Sequence, residues 1–213
     1  MAYFDKIPNI SYLKYKKNPY DGDFITIKNI FGRVKVIDDV LAGSTVFEDY
    51  FIKDGERPDT ISFDFYGDPG FDWVIMLINN VRNLYDDWAK SAQTLTEYVN
   101  SKYDDPGGIH HYETIEQTYN GKVILKEGIE VGESFRFVDP LGNTRTAEES
   151  RGPVNNLVYE TRLNEKKRNI DLLKPEYLQQ FLKDMRKIMK YSKSSQFINT
   201  RLVRTSNVRI KSP

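Results

Sequence analysis

The feature that most constrains this chain is a short, very apolar helix predicted between Phe71 and Ile78. Apolar residues recur there at the i, i+3, i+4 and i+7 spacing of one helical face: Phe71, Val74, Ile75 and Ile78. Trp73, Met76 and Leu77 extend the apolar surface around the same helix. A helix that is apolar on more than one side has to be buried on more than one side. The segment therefore requires a larger core or interface than a small isolated motif supplies.

The residues around this helix predict a strand–helix–helix–strand unit. Tyr50 to Lys53 is typical of a strand. Asp59 is the expected N-cap of a first helix, and Gly67 is expected to end that helix in a left-handed conformation. Asn79-Asn80 ends the second helix, and Val81 with its neighbours is expected to return as a short closing strand.

The whole chain is predicted to be an α+β protein of five segments. We expect an N-terminal arm with short strands, the small βααβ domain, a helix followed by hairpin-rich β structure, a C-terminal amphipathic helix and a basic tail. Their respective bounds are 1–47, 48–84, 85–165, 166–191 and 192–213.

The segment 85–165 carries clear local signals. Thr94 followed by Glu97 is a capping box that predicts a helix start. Asn120-Gly121 predicts a type I′ hairpin turn. The antiparallel strands around it are expected at Tyr112–Tyr119, Lys122–Leu125, Glu133–Val138 and Leu157–Arg162. Asp139–Asn156 is expected to be a loop rich in Gly, Pro and charge.

The C-terminal helix is the clearest in the chain. Pro175 suits a first helical turn, and the apolar residues after it form one stripe: Leu178, Phe181, Leu182, Met185, Ile188 and Met189. The tail after Ser192 lacks acidic residues, and the arm before Gly22 is rich in Tyr. Neither end has the periodicity of a self-sufficient element. We expect both ends to be extended and to be ordered by neighbouring proteins, because ordering costs about 1–2 kcal/mol per residue.

The charge balance argues against binding through bulk charge. The chain has 31 Lys and Arg residues and 31 Asp and Glu residues, so its formal net charge is zero. Residues 1–110 carry 12 basic and 18 acidic side chains, and residues 111–213 carry 19 and 13, which gives charges of −6 and +6. Nucleic-acid binding domains usually show a basic excess, so nucleic acid is not an expected partner. The two oppositely charged halves of the chain can attract each other, or they can attract surfaces of opposite charge on neighbouring proteins.

Several kinds of chemistry are excluded or disfavoured. The chain has no cysteine, which excludes disulfides and thiol chemistry. Its two histidines, His110 and His111, are adjacent and would point to opposite faces of a strand, so no metal site is expected. The longest apolar run, Trp73 to Ile78, has six residues, whereas a membrane span needs about 20. Met1 to Ile10 lacks the apolar core of a signal peptide.

No catalytic or cofactor-binding motif is present. A glycine-rich dinucleotide loop, a P-loop and the common hydrolase signatures are all missing from the sequence, so we expect no enzyme activity, no cofactor and no small-molecule substrate. The 14 Tyr and 12 Phe residues instead suit an assembly component, because interfaces are enriched in Tyr. The candidate core or partner-interface residues are Tyr50, Tyr66, Trp73, Ile75, Trp88, Phe181 and Met185.

Two resemblances follow from the central segment. Tyr50 to Asn80 resembles a LysM module, in which a strand, a turn, two helices separated by Gly and a closing strand follow one another. A closer resemblance is to the baseplate wedge protein of T-even-like contractile-tailed phages, the gene 53 product family. Three runs carry it: Phe51–Pro58, Phe65–Pro69 and Trp73–Asn79. The resemblance is strongest over Ile30–Trp88 and weakest over residues 120–165 and the tail.

The wedge-family resemblance implies a structural role. It implies a virion protein of the tail baseplate that is assembled in the host cytoplasm, joins wedge components and promotes association of wedges around the hub. The implied partners are other wedge subunits and neighbouring wedges. No interaction with a membrane is expected. The LysM resemblance leaves an alternative open, which is binding of peptidoglycan through N-acetylglucosamine near Asp54–Arg57 and Asn79–Val81.

Overall fold

The computed structural model describes residues 3–13, 24–32, 34–35, 45–194 and 196–204. Its chain divides into two compact units. The first unit comprises Met1–Phe51, Glu56–Asp87 and Ile170–Pro213, and the second comprises Ile52–Gly55 and Trp88–Asn169. The fold is mixed α and β, as the sequence predicts, with short helices and several small sheets in the described residues.

The helices and strands have the following bounds. The helices are α1 Pro58–Tyr66, α2 Asp72–Ile78, α3 Leu84–Asp87, α4 Ala92–Lys102, α5 Ala147–Ser150, α6 Asn156–Lys166 and α7 Pro175–Ile188. The strands are β1 Asn9–Leu13, β2 Phe24–Lys28, β3 Phe47–Phe51, β4 Ile109–Thr114, β5 Gln117–Tyr119, β6 Lys122–Leu125, β7 Glu130–Val131, β8 Arg151–Asn155, β9 Asn169–Leu173, β10 Phe197–Asn199 and β11 Leu202–Arg204. Short 3-10 turns lie at Tyr3–Asp5 and Pro69–Phe71.

The order β3, α1, α2 matches the predicted strand, helix and helix. Gly67 ends α1 in the left-handed conformation with φ 76°, as predicted, and its N–H donates to the Phe63 carbonyl. The N-cap position is Arg57 and not Asp59, because Pro58 occupies the first helical turn. The predicted closing strand at Val81 is wrong, since the residues after α2 form no strand. The strand that pairs with β3 is β9, which comes much later in the chain.

Both ends of the chain meet in one sheet of the first unit, with strand order β10-β11-β1-β2. Strand β1 pairs in parallel with β11, from Asn9 opposite Leu202 to Ser11 opposite Arg204. It pairs antiparallel with β2, from Asn9 opposite Lys28 to Leu13 opposite Phe24. The expectation that arm and tail are ordered only by neighbours is therefore wrong for the described residues of both. Each end supplies the main-chain hydrogen bonds that the other needs.

The core of the first unit is an apolar cluster built from helices of the middle and the end of the chain. The buried members are Trp73, Val74, Ile78, Leu173, Leu178, Leu182, Met185 and Met189. Helix α7 begins at Pro175, as the first-turn proline predicts, so residues 166–174 of the predicted segment 166–191 precede the helix. Four residues of its predicted stripe are buried in this cluster and Phe181 packs against it, whereas Ile188 is 63% exposed. The described part of the tail forms the hairpin of β10 and β11. Residues 205–213 lie outside the described part of the chain.

The second unit contains the sheet β7-β4-β8, the hairpin β5-β6 and the packed helices α4 and α6. The hairpin turn is Asn120-Gly121 with φ 50° and 74°, as predicted for type I′. Helix α4 begins at Ala92, before the predicted capping box, and its N-cap is Ser91, whose hydroxyl accepts the N–H of Thr94.

Four predictions for this unit need correction. Tyr112–Tyr119 forms two strands, β4 and β5. Glu133–Val138 forms no strand and contributes an isolated bridge between Val138 and Thr144. Leu157–Arg162 belongs to helix α6, whose start is capped by the side chain of Asn155. The predicted loop 139–156 contains α5 and β8.

Candidate partner-binding surface

The predicted site residues of the first unit belong mainly to its interior. Trp73, Ile75 and Met185 are buried, and Phe181 packs on the same apolar cluster. The Trp73 ring lies 5.5 Å from that of Tyr3 and 6.2 Å from that of Phe181, between centroids. Trp88 is buried in the second unit. These residues support the fold, so a surface for partners has to be sought elsewhere.

The two candidate tyrosines of the first unit donate hydrogen bonds within it. The Tyr66 hydroxyl donates to the Leu173 carbonyl at 2.9 Å, and burial raises the pKa of Tyr66. The Tyr50 hydroxyl donates to the Glu56 carboxylate at 2.9 Å. Burial and this hydrogen bond raise the pKa of Tyr50 to about 12. Both phenols therefore stay protonated at neutral pH and act as fixed donors that tie neighbouring segments together.

Asn79 supplies the connection that a closing strand would otherwise make. Its side-chain amide donates to the Ile75 carbonyl at 2.9 Å and to the Asp171 carbonyl at 2.8 Å, and its Oδ1 accepts the Asp171 N–H at 2.8 Å. These contacts join the end of α2 to β9. A helix-ending Asn is a predictable signal, but its bonding to β9 depends on tertiary structure that the sequence pattern does not reveal.

Among the described residues of the first unit, a run of exposed apolar side chains lies along β2 and the residues after it. Phe24, Ile25 and Ile27 are exposed although they belong to a strand. Ile30 and Phe31 follow, with 66% and 84% of their surfaces exposed. We call these five residues the β2 patch. Strand β2 is at the end of its sheet, and no described strand pairs with its outer edge. An exposed apolar edge strand is a ready template for pairing with another chain.

The hydrogen-bond register shows which groups of β2 face outward. The Asn29 N–H donates to the Pro8 carbonyl at 2.9 Å, which makes this a hydrogen-bonded pair of the antiparallel ladder. Since such pairs alternate, Ile27 and Ile25 bond to β1. The N–H and carbonyl groups of Thr26 and Phe24 then point away from β1, to the outer edge of the sheet. The Arg204 guanidinium lies 4.5 Å from the Phe24 ring centroid, so β11 supports one face of the edge strand.

The second unit contains a chain of polar side chains around its two histidines. His110 Nδ1 and His111 Nδ1 are 2.8 Å apart, so the prediction that the two rings point to opposite faces is wrong; the register of β4 with β8 shifts between Ile109 and His111. His111 Nε2 lies 3.0 Å from the Glu113 carboxylate. Arg162 donates to both oxygens of that carboxylate, at 2.8 and 2.6 Å, and lowers the pKa of Glu113. The Tyr159 ring stacks on His110 at 3.8 Å. Within the described ranges, no group of three or more His, Asp or Glu could hold a metal ion.

Comparison with known families defines the class of the protein. The model of the family described as Base plate wedge protein 53, a phage family, matches residues 1–129. This match covers more than half of the chain, which therefore belongs to the family of phage base plate wedge proteins. Its role is accordingly that of a structural component of the virion baseplate, in association with other baseplate components. No curated protein matches the chain. Among the described helices, none is long and apolar enough to cross a membrane.

Proposed function

We propose that this chain is a non-catalytic subunit that joins components of the baseplate wedge and promotes association of wedges around the hub of a contractile, T-even-like tail. Membership of the wedge family carries the proposal. The β2 patch adds a physical reason, because its five exposed apolar residues lie next to an edge with which no strand of the described ranges pairs, and such a surface is costly on an isolated protein. Expected partners are subunits of the same wedge and of neighbouring wedges, and expected assembly takes place in the host cytoplasm.

The proposed contact is addition of a partner strand to the outer edge of β2. Main-chain hydrogen bonds at Thr26 and Phe24 would give affinity, and the exposed side chains of the patch would give specificity. The occupant is a strand of another wedge subunit, since the family assembles with other baseplate components.

A proline at Thr26 tests this contact with little damage to the fold. Thr26→Pro removes an N–H that points to the outer edge, and proline is tolerated on edge strands. We expect this variant to fold, with normal circular dichroism, and to lose incorporation into baseplates in a complementation assay. Thr26→Ala keeps the N–H and is the matched control, expected to incorporate normally. Normal incorporation of Thr26→Pro would overturn strand addition at β2.

Glycan binding is the alternative function. Contacts inside the protein weigh against it: Asp54 pairs with Arg168 at 2.9 Å, and the Asn79 side chain is bonded to β9. We also propose that residues 48–84 are LysM-like, with β9 in the place of the closing strand. A pull-down on purified peptidoglycan distinguishes the alternatives. The scaffold proposal expects no retention, and saturable retention released by N-acetylglucosamine oligomers would favour glycan binding.

A further inference from the structure

A basic cleft lies within the first unit. It has a volume of about 510 Å³ and is formed by the arm, the end of α7 and the turn between β10 and β11. Its basic lining residues are Lys6, Arg186, Lys190 and Arg201. Asp5 is the acidic residue among the described lining residues, so four positive charges and one negative charge give a formal charge of +3. We call this site the arm–tail cleft.

Hydrogen bonds between the arm, the turn and the segment after α7 hold the cleft in shape. The Arg201 guanidinium donates to the Asp5 carbonyl at 2.6 Å, and the Arg201 N–H donates to the Asn199 side chain at 2.8 Å. The Tyr191 N–H donates to the Thr200 carbonyl at 3.0 Å, which ties the segment after α7 to the turn. A guanidinium has five N–H donors, so this anchoring fixes the group and keeps donors for a ligand.

The positive charges in the cleft act on one another. The Lys6 side chain is buried, with 6% of the residue exposed. Burial, followed by the charges of Arg186 and Arg201, lowers the pKa of Lys6, and Asp5 offsets part of this effect. A carboxylate that enters the cleft would relieve this repulsion. Because the cleft is partly enclosed, such a charge interacts there more strongly than on an open surface.

We propose that the arm–tail cleft binds an acidic peptide segment of another baseplate subunit. Carboxylates of that segment pair with Arg186, Lys190 and Arg201, and an apolar side chain between them packs on Met189. The proposal rests on the structural role proposed above and names the chemistry of one partner. It also gives the pairing of the two chain ends a function, because the cleft exists only when arm and tail are both in place.

The test is fluorescence anisotropy of the full chain with three labelled probes. They are a ten-residue peptide of alternating Glu and Leu, the same peptide with Gln for each Glu, and a single-stranded DNA of equal length. The cleft variant is Arg186→Glu with Lys190→Glu. The matched control is Lys183→Glu with Lys187→Glu, which has the same spacing, exposure and charge change outside the cleft. Arg201→Gln is a milder second variant in case the double reversal does not fold.

We expect the Glu peptide to bind in preference to the Gln peptide, with affinity that falls as salt increases. The cleft variant should lose about tenfold in affinity and the control less than about twofold. Equal losses in both variants, or no binding of the Glu peptide by the wild-type chain, would overturn the proposal. Tighter binding of the DNA that depends on the same residues would overturn it in favour of a nucleic-acid site.

Incorporation into baseplates separates this proposal from the proposed function. A wild-type chain that enters baseplates but binds no Glu peptide overturns the cleft proposal alone. A wild-type chain that is absent from purified baseplates overturns the structural role, and with it the assignment of a baseplate partner to the cleft, whatever the peptide result.

Discussion

The two units of this protein are stabilised in different ways. The first collects three separate stretches of chain around an apolar cluster centred on Trp73. The second is almost one continuous stretch, and charged or amide side chains are buried within it, including Glu160, Asn164 and Arg168. Each of these polar groups has partners. The Asn164 side chain bonds both the N–H and the carbonyl of Lys90, and Arg168 pairs with Asp54 and Glu165.

This difference predicts different sensitivities. A close-packed apolar cluster responds to changes in side-chain volume, because cavities in it are only partly refilled. Buried polar pairs respond to the loss of one partner and to pH, because the partner that remains is left buried without compensation. Substitutions that change volume should therefore act most strongly in the first unit, and substitutions that change charge in the second.

Truncation of Trp73 is the largest expected effect. Trp73→Ala removes a buried ring between Tyr3 and Phe181 and should lower the free energy of unfolding by about 3–5 kcal/mol. Chemical denaturation of the purified chain measures the change. A change smaller than about 1 kcal/mol would show that the cluster is not the source of stability in the first unit.

Trp73→Phe is the matched control because it keeps an aromatic ring. The buried Trp73 Nε1–H has no hydrogen-bond partner among the described residues, so removing it relieves a desolvation cost of about 1–3 kcal/mol. We expect Trp73→Phe to destabilise the protein by clearly less than Trp73→Ala. Equal losses would mean that the indole N–H is bonded in solution.

The next largest effect should come from Glu160 in the second unit. This carboxylate is 7% exposed and accepts from Lys102 Nζ at 2.6 Å and from the Tyr103 hydroxyl at 2.8 Å. Lys102→Met leaves it without its cation and should cost about 2 kcal/mol at pH 7, below the value for a fully buried pair because Lys102 itself is 42% exposed. Denaturation of the variant and the wild type at pH 7 measures the cost.

The pH dependence has a definite sign. Burial works against ionisation of Glu160, but the bonds from Lys102 and Tyr103 outweigh it and keep the pKa of Glu160 below its usual range. A carboxyl with a lowered folded pKa adds stability above its unfolded pKa, and loses that contribution as pH falls through the folded pKa. The cost of Lys102→Met should therefore shrink in acid. The double variant with Glu160→Gln should cost less than Lys102→Met alone, and a greater cost would contradict the pairing.

Local signals predicted local structure well in both units. The stripe of α2, the left-handed cap at Gly67 and the type I′ turn at Asn120-Gly121 all depend on neighbouring residues, and the structure has them. The predicted strand at Leu157–Arg162 was wrong, because a short run of this kind fits a strand or a helix. The available signal was Asn155, whose side chain accepts the Val158 N–H at 2.7 Å and caps α6.

Long-range pairing could not be predicted in this way. Strand β11 pairs with β1 across almost the whole chain, and β9 pairs with β3 across more than half of it. The residue pattern of each segment predicts that it is a strand, but it does not predict which other strand it pairs with. The arm and the tail were predicted to be ordered by neighbouring proteins, but their described residues complete one sheet with each other. Of the predicted core or interface residues, Trp73, Ile75, Trp88 and Met185 are buried, and Tyr50, Tyr66 and Phe181 are partly buried. The β2 patch could not be predicted, because it depends on which strand lies at the edge of the sheet.

Gly67 tests how much of the first unit depends on backbone conformation alone. A Cβ at this position would meet no atom within 4 Å, so any cost of Gly67→Ala comes from its φ of 76°. We expect a loss of about 1 kcal/mol in the free energy of unfolding. Gly132→Ala is the matched control in the second unit, since it also has open space but a φ outside the left-handed region. Equal effects of the two substitutions would contradict the proposed origin of the cost.

The smallest expected effect is a gain in stability when Asp171 of the first unit is replaced. Asp171 lies near Asp49, and the repulsion between these two carboxylates is unfavourable. Burial, and then the nearby charge of Asp49, raise the pKa of Asp171. The folded chain therefore binds a proton there more tightly than the unfolded chain does, so ionised Asp171 costs stability at neutral pH and the cost disappears as pH falls through the folded pKa.

Asp171→Asn should remove this cost while keeping the main-chain bonds to Asn79. We expect a gain of about 0.5 kcal/mol at pH 7, in the range for like charges on paired strands, and no gain below pH about 3, where the wild-type carboxyl is protonated. Asp49→Asn should give a similar gain, and the double variant should gain little more, because either substitution already removes the repulsion. A gain of equal size at both pH values would show that ionisation is not its cause. A loss at pH 7 would show that the carboxylates contribute to stability, and that the contrast between an apolar first unit and a polar second unit is too simple.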